Sequence, residues 1–272
     1  MADGLSVVFD IPSSWYMSCV GAESVKARAD MRRRLRRYGR GVWRDAKLQG
    51  LGRYKRFVLL VTVAGRRDSP VLACETLKPL IDAGTDEKIW PDDDPFHRVS
   101  TCYLPDPTPC PVGRVRIGIT IIPLGARERM PGRIVSKVPD SRAAAVCLTV
   151  PDGDWLTSNM RLDVRERRAR QSRIMRAADC VWGDKALGGS VGVLCSVRYP
   201  DSRAEWVGDP DNTAESATAL YGMGVAKGLV PYNPSLFGFY LAGGQADAHS
   251  HDLSLLAFTV PPGFNWIRAM LE

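Results

Sequence analysis

Apolar residues at strand spacing and stretches with helical spacing alternate along this chain, and they do so twice in the same order. The first pass predicts a strand over 5–11, a helix over roughly 24–46, a strand over 57–64 and a helix over about 74–84. Strands near 97–103 and at 114–122 complete it. The second pass predicts a strand over 145–150, a helix over 161–183, a strand over 191–199 and a helix over 213–226. A strand near 236–242 and one over 252–260 close it. Each pass is a small α/β unit, a mixed sheet covered by two helices. The stretch between them, LGARERMPGRIVSKVPDSRA (124–143), is basic, holds two prolines and reads as a linker. The expected organisation is therefore one unit over 1–123, a linker over 124–143 and a second unit over 144–272.

Self-comparison supports a duplication. LSVVFDIPSSWYMS (5–18) resembles AVCLTVPDGDWLTS (145–158), and Pro12 with Pro151 and Trp43 with Trp182 match at an offset of 139. SPVLACETLKPLIDAGTDEKIWP (69–91) aligns without a gap on DPDNTAESATALYGMGVAKGLVP (209–231) at an offset of 140. In that alignment Pro70 meets Pro210, Glu75 meets Glu215, Leu80 meets Leu220, Gly84 meets Gly224 and Pro91 meets Pro231. RVRIGITIIP (114–123) parallels DLSLLAFTVP (252–261).

Composition narrows the class. In 272 residues, 45% apolar content suits a packed core. No run reaches the ~20 apolar residues of a membrane span. MADGLSVVFDIP has no basic n-region, so secretion is not indicated and a cytoplasmic location is expected. Seven cysteines form no C-x-x-C pair and read as reduced, mostly buried thiols. His249 and His251 flank Ser250 and are weak candidates for a ligand pair.

Charge adds an asymmetry. Residues 1–138 hold 24 Lys+Arg against 15 Asp+Glu, a net of +9, while residues 139–272 hold 13 against 15, a net of −2. On the first long helix Arg28, Arg32, Arg36, Arg40 and Arg44 recur every fourth residue, with Arg33 and Arg37 alongside. Met31, Leu35, Tyr38 and Val42 form the core-facing stripe. Like charges at this spacing repel, each pair costing ~0.2–0.5 kcal/mol in an isolated helix. In sequence, Asp30 and Asp45 are the only acids near the stripe. This pattern points to phosphate contact. In the second helix Arg161, Arg165, Arg168 and Arg176 are diluted by Asp163, Glu166 and Asp179.

The motif GDPDNTAES (208–216) places Asp209 and Asp211 two residues apart beside Asn212. With TVPDGDWLTSNMRL (149–162), the arginine-rich helices and the acidic turn WPDDDP (90–95), each copy resembles a RusA-like Holliday-junction resolvase of the phage type. The resemblance covers most of both copies. It implies a homodimer-like arrangement, here a fused pseudo-dimer, that acts on four-way DNA junctions with magnesium. It also implies a metal site of three aspartates, two from D-x-D-N and one from the acidic turn, all from one subunit. Such a set suits Mg²⁺, which takes oxygen ligands in octahedral geometry and activates water.

The two copies depart from that pattern in complementary ways. Copy two keeps Asp209, Asp211 and Asn212 but has Tyr232, Asn233 and Pro234 in the turn. Copy one keeps Asp92, Asp93 and Asp94 but has Ser69, Val71 and Leu72 in the motif. Asp209 and Asp211 are thus metal-site residues without their own third acid. Either both sites are vestigial, or Asp93 completes a composite site. If each copy folds on itself, Asp93 should lie opposite Ser69 and Val71 while Asn233 faces Asp211. Glu75 and Glu215, matched in both copies, suit a structural role at a helix N-terminus. The expected function is binding of branched or duplex DNA with little or no nuclease activity and no cofactor. The alternatives are a Mg²⁺-dependent junction endonuclease with a composite site, or a module that binds a host or virion protein.

Overall fold

Local chemistry starts the long helices. The hydroxyl of Ser24 accepts from the Ala27 amide at 3.2 Å and opens α1 (Val25–Leu48). Farther along, the Asp163 carboxylate accepts from the Glu166 amide at 2.8 Å and opens a helix over Val164–Trp182. The computed structural model describes residues 6–21, 23–50, 53–125, 128, 132–157, 160, 162–200 and 209–272. Asn159 and Arg161 of the Asn-x-Arg segment and Leu5 of the first expected strand lie outside these.

The first half contains β1 (Ser6–Pro12), α1, β2 (Phe57–Ala64), α2 (Cys74–Asp86), β3 (Arg98–Pro105) and β4 (Arg114–Pro123). After a short helix α3 (Gly132–Val135), the second half repeats the order. It contains β5 (Ala143–Pro151), α4 (Val164–Trp182), β6 (Val191–Arg198), α5 (Ala214–Ala226), β7 (Leu236–Leu241) and β8 (Ser250–Thr259), and α6 (Trp266–Leu271) ends the chain. Before α2 and α5 the chain makes matching 3₁₀ turns, Pro70–Ala73 and Pro210–Thr213, each with proline in its first position.

All eight strands join one mixed sheet in the order β1-β4-β2-β3-β7-β6-β8-β5. Read from either edge, matching strands follow in the same sequence, and the midpoint is the antiparallel pair β3–β7, with Ser100 opposite Tyr240 and Tyr103 opposite Phe237. A separate small sheet for each unit was expected. Instead β3 and β7 pair, because each would otherwise present a row of unsatisfied N–H and C=O groups at a sheet edge. The central strands β2 and β6 are buried along almost their whole length, whereas β1 and β5 alternate exposed and buried residues, as strands at a half-covered edge do.

Two apolar layers sandwich the sheet. On one face Phe9, Leu59, Ile117, Val193 and Phe239 pack beneath α1, α2, α4 and α5, with Trp43, Leu80, Trp182 and Leu220 from the helices. On the other, Val58, Leu60, Leu194 and Phe258 meet Ile134, Val138, Trp266 and Met270. Ile134 and Val138 belong to the stretch read as a linker, so its described part is a packed element. Its proline-rich, basic composition concealed these two core positions. No described helix is long and apolar enough to cross a membrane.

Hydrogen bonds match between the halves. The indole of Trp43 donates to the Leu80 carbonyl at 2.8 Å, and that of Trp182 to the Leu220 carbonyl at 2.8 Å. Thr76 Oγ1 accepts from the Met17 amide and donates to its carbonyl, and Ser216 Oγ does the same with Leu156. Gly84 and Gly224 are matched in sequence and each lies under an indole, though not equivalent ones: a Cβ would come within 2.3 Å of Trp90 at Gly84 and 2.6 Å of Trp182 at Gly224.

Candidate functional site

Pairing β3 with β7 lays the 3₁₀ turn Pro210–Thr213 of the second half over β3 of the first. Asp209 stands at the start of that turn, where a carboxylate commonly caps, yet it makes no cap bond. Its side chain reaches into the first half. Asp209 Oδ2 lies 2.5 Å from Lys78 Nζ on α2, and Asp209 Oδ1 lies 3.2 Å from Arg98 Nη2 at the start of β3. Asp211 Oδ1 accepts from Arg98 Nη1 at 2.8 Å, and its Oδ2 accepts from the Tyr103 hydroxyl at 3.0 Å. Asp93 joins through Lys78, at 2.7 Å, with Arg98 Nη2 at 3.8 Å. The three acids singled out by sequence, Asp93, Asp209 and Asp211, therefore converge from both halves.

This overturns one expectation directly. Asp93 meets Lys78 and Arg98, and Asn233 is exposed while Asp211 meets Arg98 and Tyr103 rather than facing Asn233. The cause is the shared sheet, which carries one half's motif turn across the midline. In the matching turn of the first half, Val71 is part of the apolar core. Of the acidic turn, only Asp93 enters the cluster. Asp92 is exposed and accepts from the Asp93 amide, and Asp94 accepts from the Phe96 and His97 amides, which folds the turn.

Sequence reasoning missed Lys78, Arg98 and Tyr103. Arg98 is fully buried, and its Nη1 also donates to Thr101 Oγ1 at 2.7 Å. Burial alone would lower its pKa, but Asp211, Asp209 and Asp93 outweigh that and raise it. Lys78 is governed likewise: burial and then Arg98 push it down, while Asp209, Asp93 and Asp82 push harder the other way and raise it. Both stay cationic. Burial lifts the Asp93 carboxyl, but Lys78 and Arg98 bring it below its ordinary value. For Asp209 burial prevails over the same two cations, and the carboxyl is raised. The available signal was a charged residue opening an apolar strand, since RVSTCYLP begins on an arginine that the pattern offers no solvent face for.

The magnesium that the family resemblance implies does not fit this donor set. A Mg²⁺ needs carboxylate oxygens turned toward it at about 2.0–2.1 Å. Here both oxygens of Asp209 and both of Asp211 point at N–H or O–H donors, and two fixed cations stand among the acids.

The arginine stripe of α1 is also accounted for differently. Arg32 binds Glu75 at 2.6 Å, Arg36 binds Asp86 through two bonds of 2.7 and 2.8 Å, and Arg40 and Arg44 share Glu87. Arg28 reaches the Gly21 carbonyl at 2.7 Å and lies 3.9 Å from Glu75, and Arg33 pairs with Asp30. The stripe thus zips α1 to α2. Its acids lie more than forty residues on in sequence, so they are invisible to local charge counting. Arg36, Arg40 and Arg44 still leave about half of each side chain open to solvent, and Arg37 is exposed. Glu215 repeats the role of Glu75, in the first turn of α5 and paired with Arg167.

The histidines do not form a ligand pair. His251 stacks flat on Trp155 with ring centroids 4.0 Å apart, whereas His249 is exposed. All seven cysteines are free thiols and four are buried, as expected for most; Cys147 and Cys180 are exposed, since they fall on outward positions of β5 and α4. No protein-family model matches the chain, and no curated protein matches it.

Proposed function

We propose that this protein is a RusA-like, DNA-binding pseudo-dimer in a single chain that recognises branched or duplex DNA and does not cut it. The observation that carries the reading is the cluster in which Asp93, Asp209 and Asp211 meet around Arg98 and Lys78. A nuclease of the implied kind needs those acids turned toward a metal and a water; here they are committed to side-chain cations. The palindromic strand order and the matched Trp43 and Trp182 bonds support a duplicated ancestor whose two copies share one sheet. DNA binding is supported by the formal charge of +7 and by the half-open arginines along α1.

The rival reading, an active composite-site endonuclease, draws support from the convergence of acids from both halves. Incubation with a synthetic four-way junction, with and without Mg²⁺, separates the two by gel shift and by product analysis. A retarded complex with no nicked product is the expected result. Mg²⁺-dependent cutting that disappears on Asp211→Asn would establish the endonuclease instead. Absence of any complex with junction or duplex would remove the DNA reading and favour a protein partner.

A further inference from the structure

The disagreement between the acids and a metal has a specific form. Arg98 is fully buried at the point where the carboxylates of Asp209 and Asp211 face the first half, and its Nη2 forms no proper hydrogen bond. That nitrogen lies 3.2 Å from Asp209 and 3.8 Å from Asp93, aimed between acids from the two halves. Nη1 holds Asp211 and Thr101. One guanidinium thus contacts all three acids. An ordinary structural ion pair needs only one acid, and burying several carboxylates around a single cation is costly unless each is compensated.

We propose that Arg98 is an internal surrogate for a divalent cation: its guanidinium occupies the position in which Asp93, Asp209 and Asp211 would together hold a metal ion, and it makes the junction of the two halves independent of metal. The inference rests on the same cluster of acids from both halves that carries the proposed function, and not on DNA binding. Lys78 is the secondary cation. It bridges Asp93 and Asp209 from the solvent side and is also 3.2 Å from Asp82, so it neutralises the rim of the cluster. Arg98 has no such outside partner, and its removal frees Asp209 Oδ1 and Asp211 Oδ1, the oxygens it alone holds among the acids. Chemically the vacated space favours a hard, oxygen-seeking divalent ion, since the surrounding donors are carboxylates, the Thr101 hydroxyl and the Tyr103 hydroxyl.

The test uses the full chain and Mn²⁺ alone as the probe, followed by electron paramagnetic resonance and by thermal unfolding. The wild-type protein should bind no Mn²⁺ at this site, and its unfolding midpoint should be the same in EDTA as in millimolar Mn²⁺. Arg98→Met, which keeps the length but removes the charge, should gain a single saturable Mn²⁺ site that wild type lacks. Its midpoint should rise with added Mn²⁺, and Arg98→Met combined with Asp211→Asn should lose both effects. Lys78→Met should remain insensitive to Mn²⁺, because Arg98 is still in place; this variant removes the rim cation, which is partly open to solvent, and guards against a folding failure of the fully buried one. Saturable Mn²⁺ binding by wild type that Asp211→Asn abolishes would overturn the proposal. So would an Arg98→Met chain that neither binds nor is stabilised by Mn²⁺, or a Lys78→Met chain that gains the site on its own. DNA retardation plays no part in these readouts, so failure of the DNA reading and failure of this one are told apart.

Discussion

Trp43 and Trp182 occupy the same place in the two halves, each donating its indole N–H to a backbone carbonyl of the adjoining helix at 2.8 Å. Both are fully buried. Replacing either by phenylalanine removes the indole donor to a helix carbonyl and leaves a void beside it, at a cost of about 1–3 kcal/mol. The two substitutions should destabilise to a similar degree. Because the sheet runs unbroken through β3 and β7, each variant should unfold in one transition, with far-ultraviolet circular dichroism and tryptophan fluorescence coinciding. Separate transitions for the two halves would show that the β3–β7 seam does not couple them.

Asp211 shares its two oxygens between Arg98 and Tyr103, all three buried. Asp211→Asn removes the charge opposite a buried guanidinium, for which a loss of about 3–5 kcal/mol is expected. Tyr103→Phe removes one donor only, and should cost about 1–3 kcal/mol. Denaturant titration of both variants checks the order. An Asp211→Asn protein as stable as wild type would mean that Arg98 is held by Asp93 and Asp209 alone.

The pairing of α1 with α2 carries a pH signature. Asp86 and Glu87 are lowered from ordinary values of 3.8 and 4.5, Asp86 chiefly by its hydrogen bond from Arg36 and Glu87 by those from Arg44 and Arg40. A carboxyl whose folded pKa is depressed adds stability above its unfolded value and loses it as pH falls through the folded one. The contribution is therefore complete at neutral pH, starts to fade as pH drops through 4.5 and 3.8, and is gone below the depressed values. Thermal midpoints recorded from neutral pH down to about 3 should fall more for wild type than for Asp86→Asn/Glu87→Gln. High salt should shrink that difference, since the arginines of these pairs are about half open to solvent. Parallel curves for the two proteins would remove the zipper from the account of stability.

For DNA, the paired arginines confound a simple charge reversal, because Arg32→Glu or Arg36→Glu also places like charges between α1 and α2. Arg33 and Arg37 avoid this: Arg37 is exposed, and Arg33 pairs with exposed Asp30 on its own helix. Arg33→Glu and Arg37→Glu should weaken junction binding more than Arg165→Glu and Arg168→Glu. Each lost phosphate contact should lower the slope of log affinity on log salt by about 0.9. Equal effects from α1 and α4 would abolish the asymmetry between the halves.

Thiol chemistry offers a quick check of the fold. Cys147 and Cys180 are exposed, Cys110 is partly covered, and Cys19, Cys74, Cys102 and Cys195 are buried. Burial holds the Cys102 thiol up at about 12, which further slows attack by a disulfide reagent. Two thiols should react at once in native protein, a third more slowly, and the remaining four only on unfolding.

The sequence by itself determined the elements and their repetition. Period-two apolar runs marked β1 and β5, continuous apolar runs marked β2 and β6, and the gapless alignment of 69–91 on 209–231 placed α2 and α5 in register. These are short-range signals: backbone geometry turns side-chain periodicity directly into a strand or helix face. It also singled out Asp93, Asp209 and Asp211, the acids that the fold brings together. Their partners could be decided only by the tertiary structure. Whether two repeated units keep separate sheets or share one depends on edge-to-edge pairing of β3 with β7, which leaves no periodic mark on the chain. That single pairing carries Asp209 and Asp211 across the midline to Lys78, Arg98 and Tyr103. In the same way Arg36, Arg40 and Arg44 look like an open basic stripe in sequence, yet packing of α1 on α2 sets Asp86 and Glu87 against them. Electrostatic meaning depends on distances of a few ångströms, and residues forty to a hundred and thirty positions apart acquire those distances only when the chain has folded.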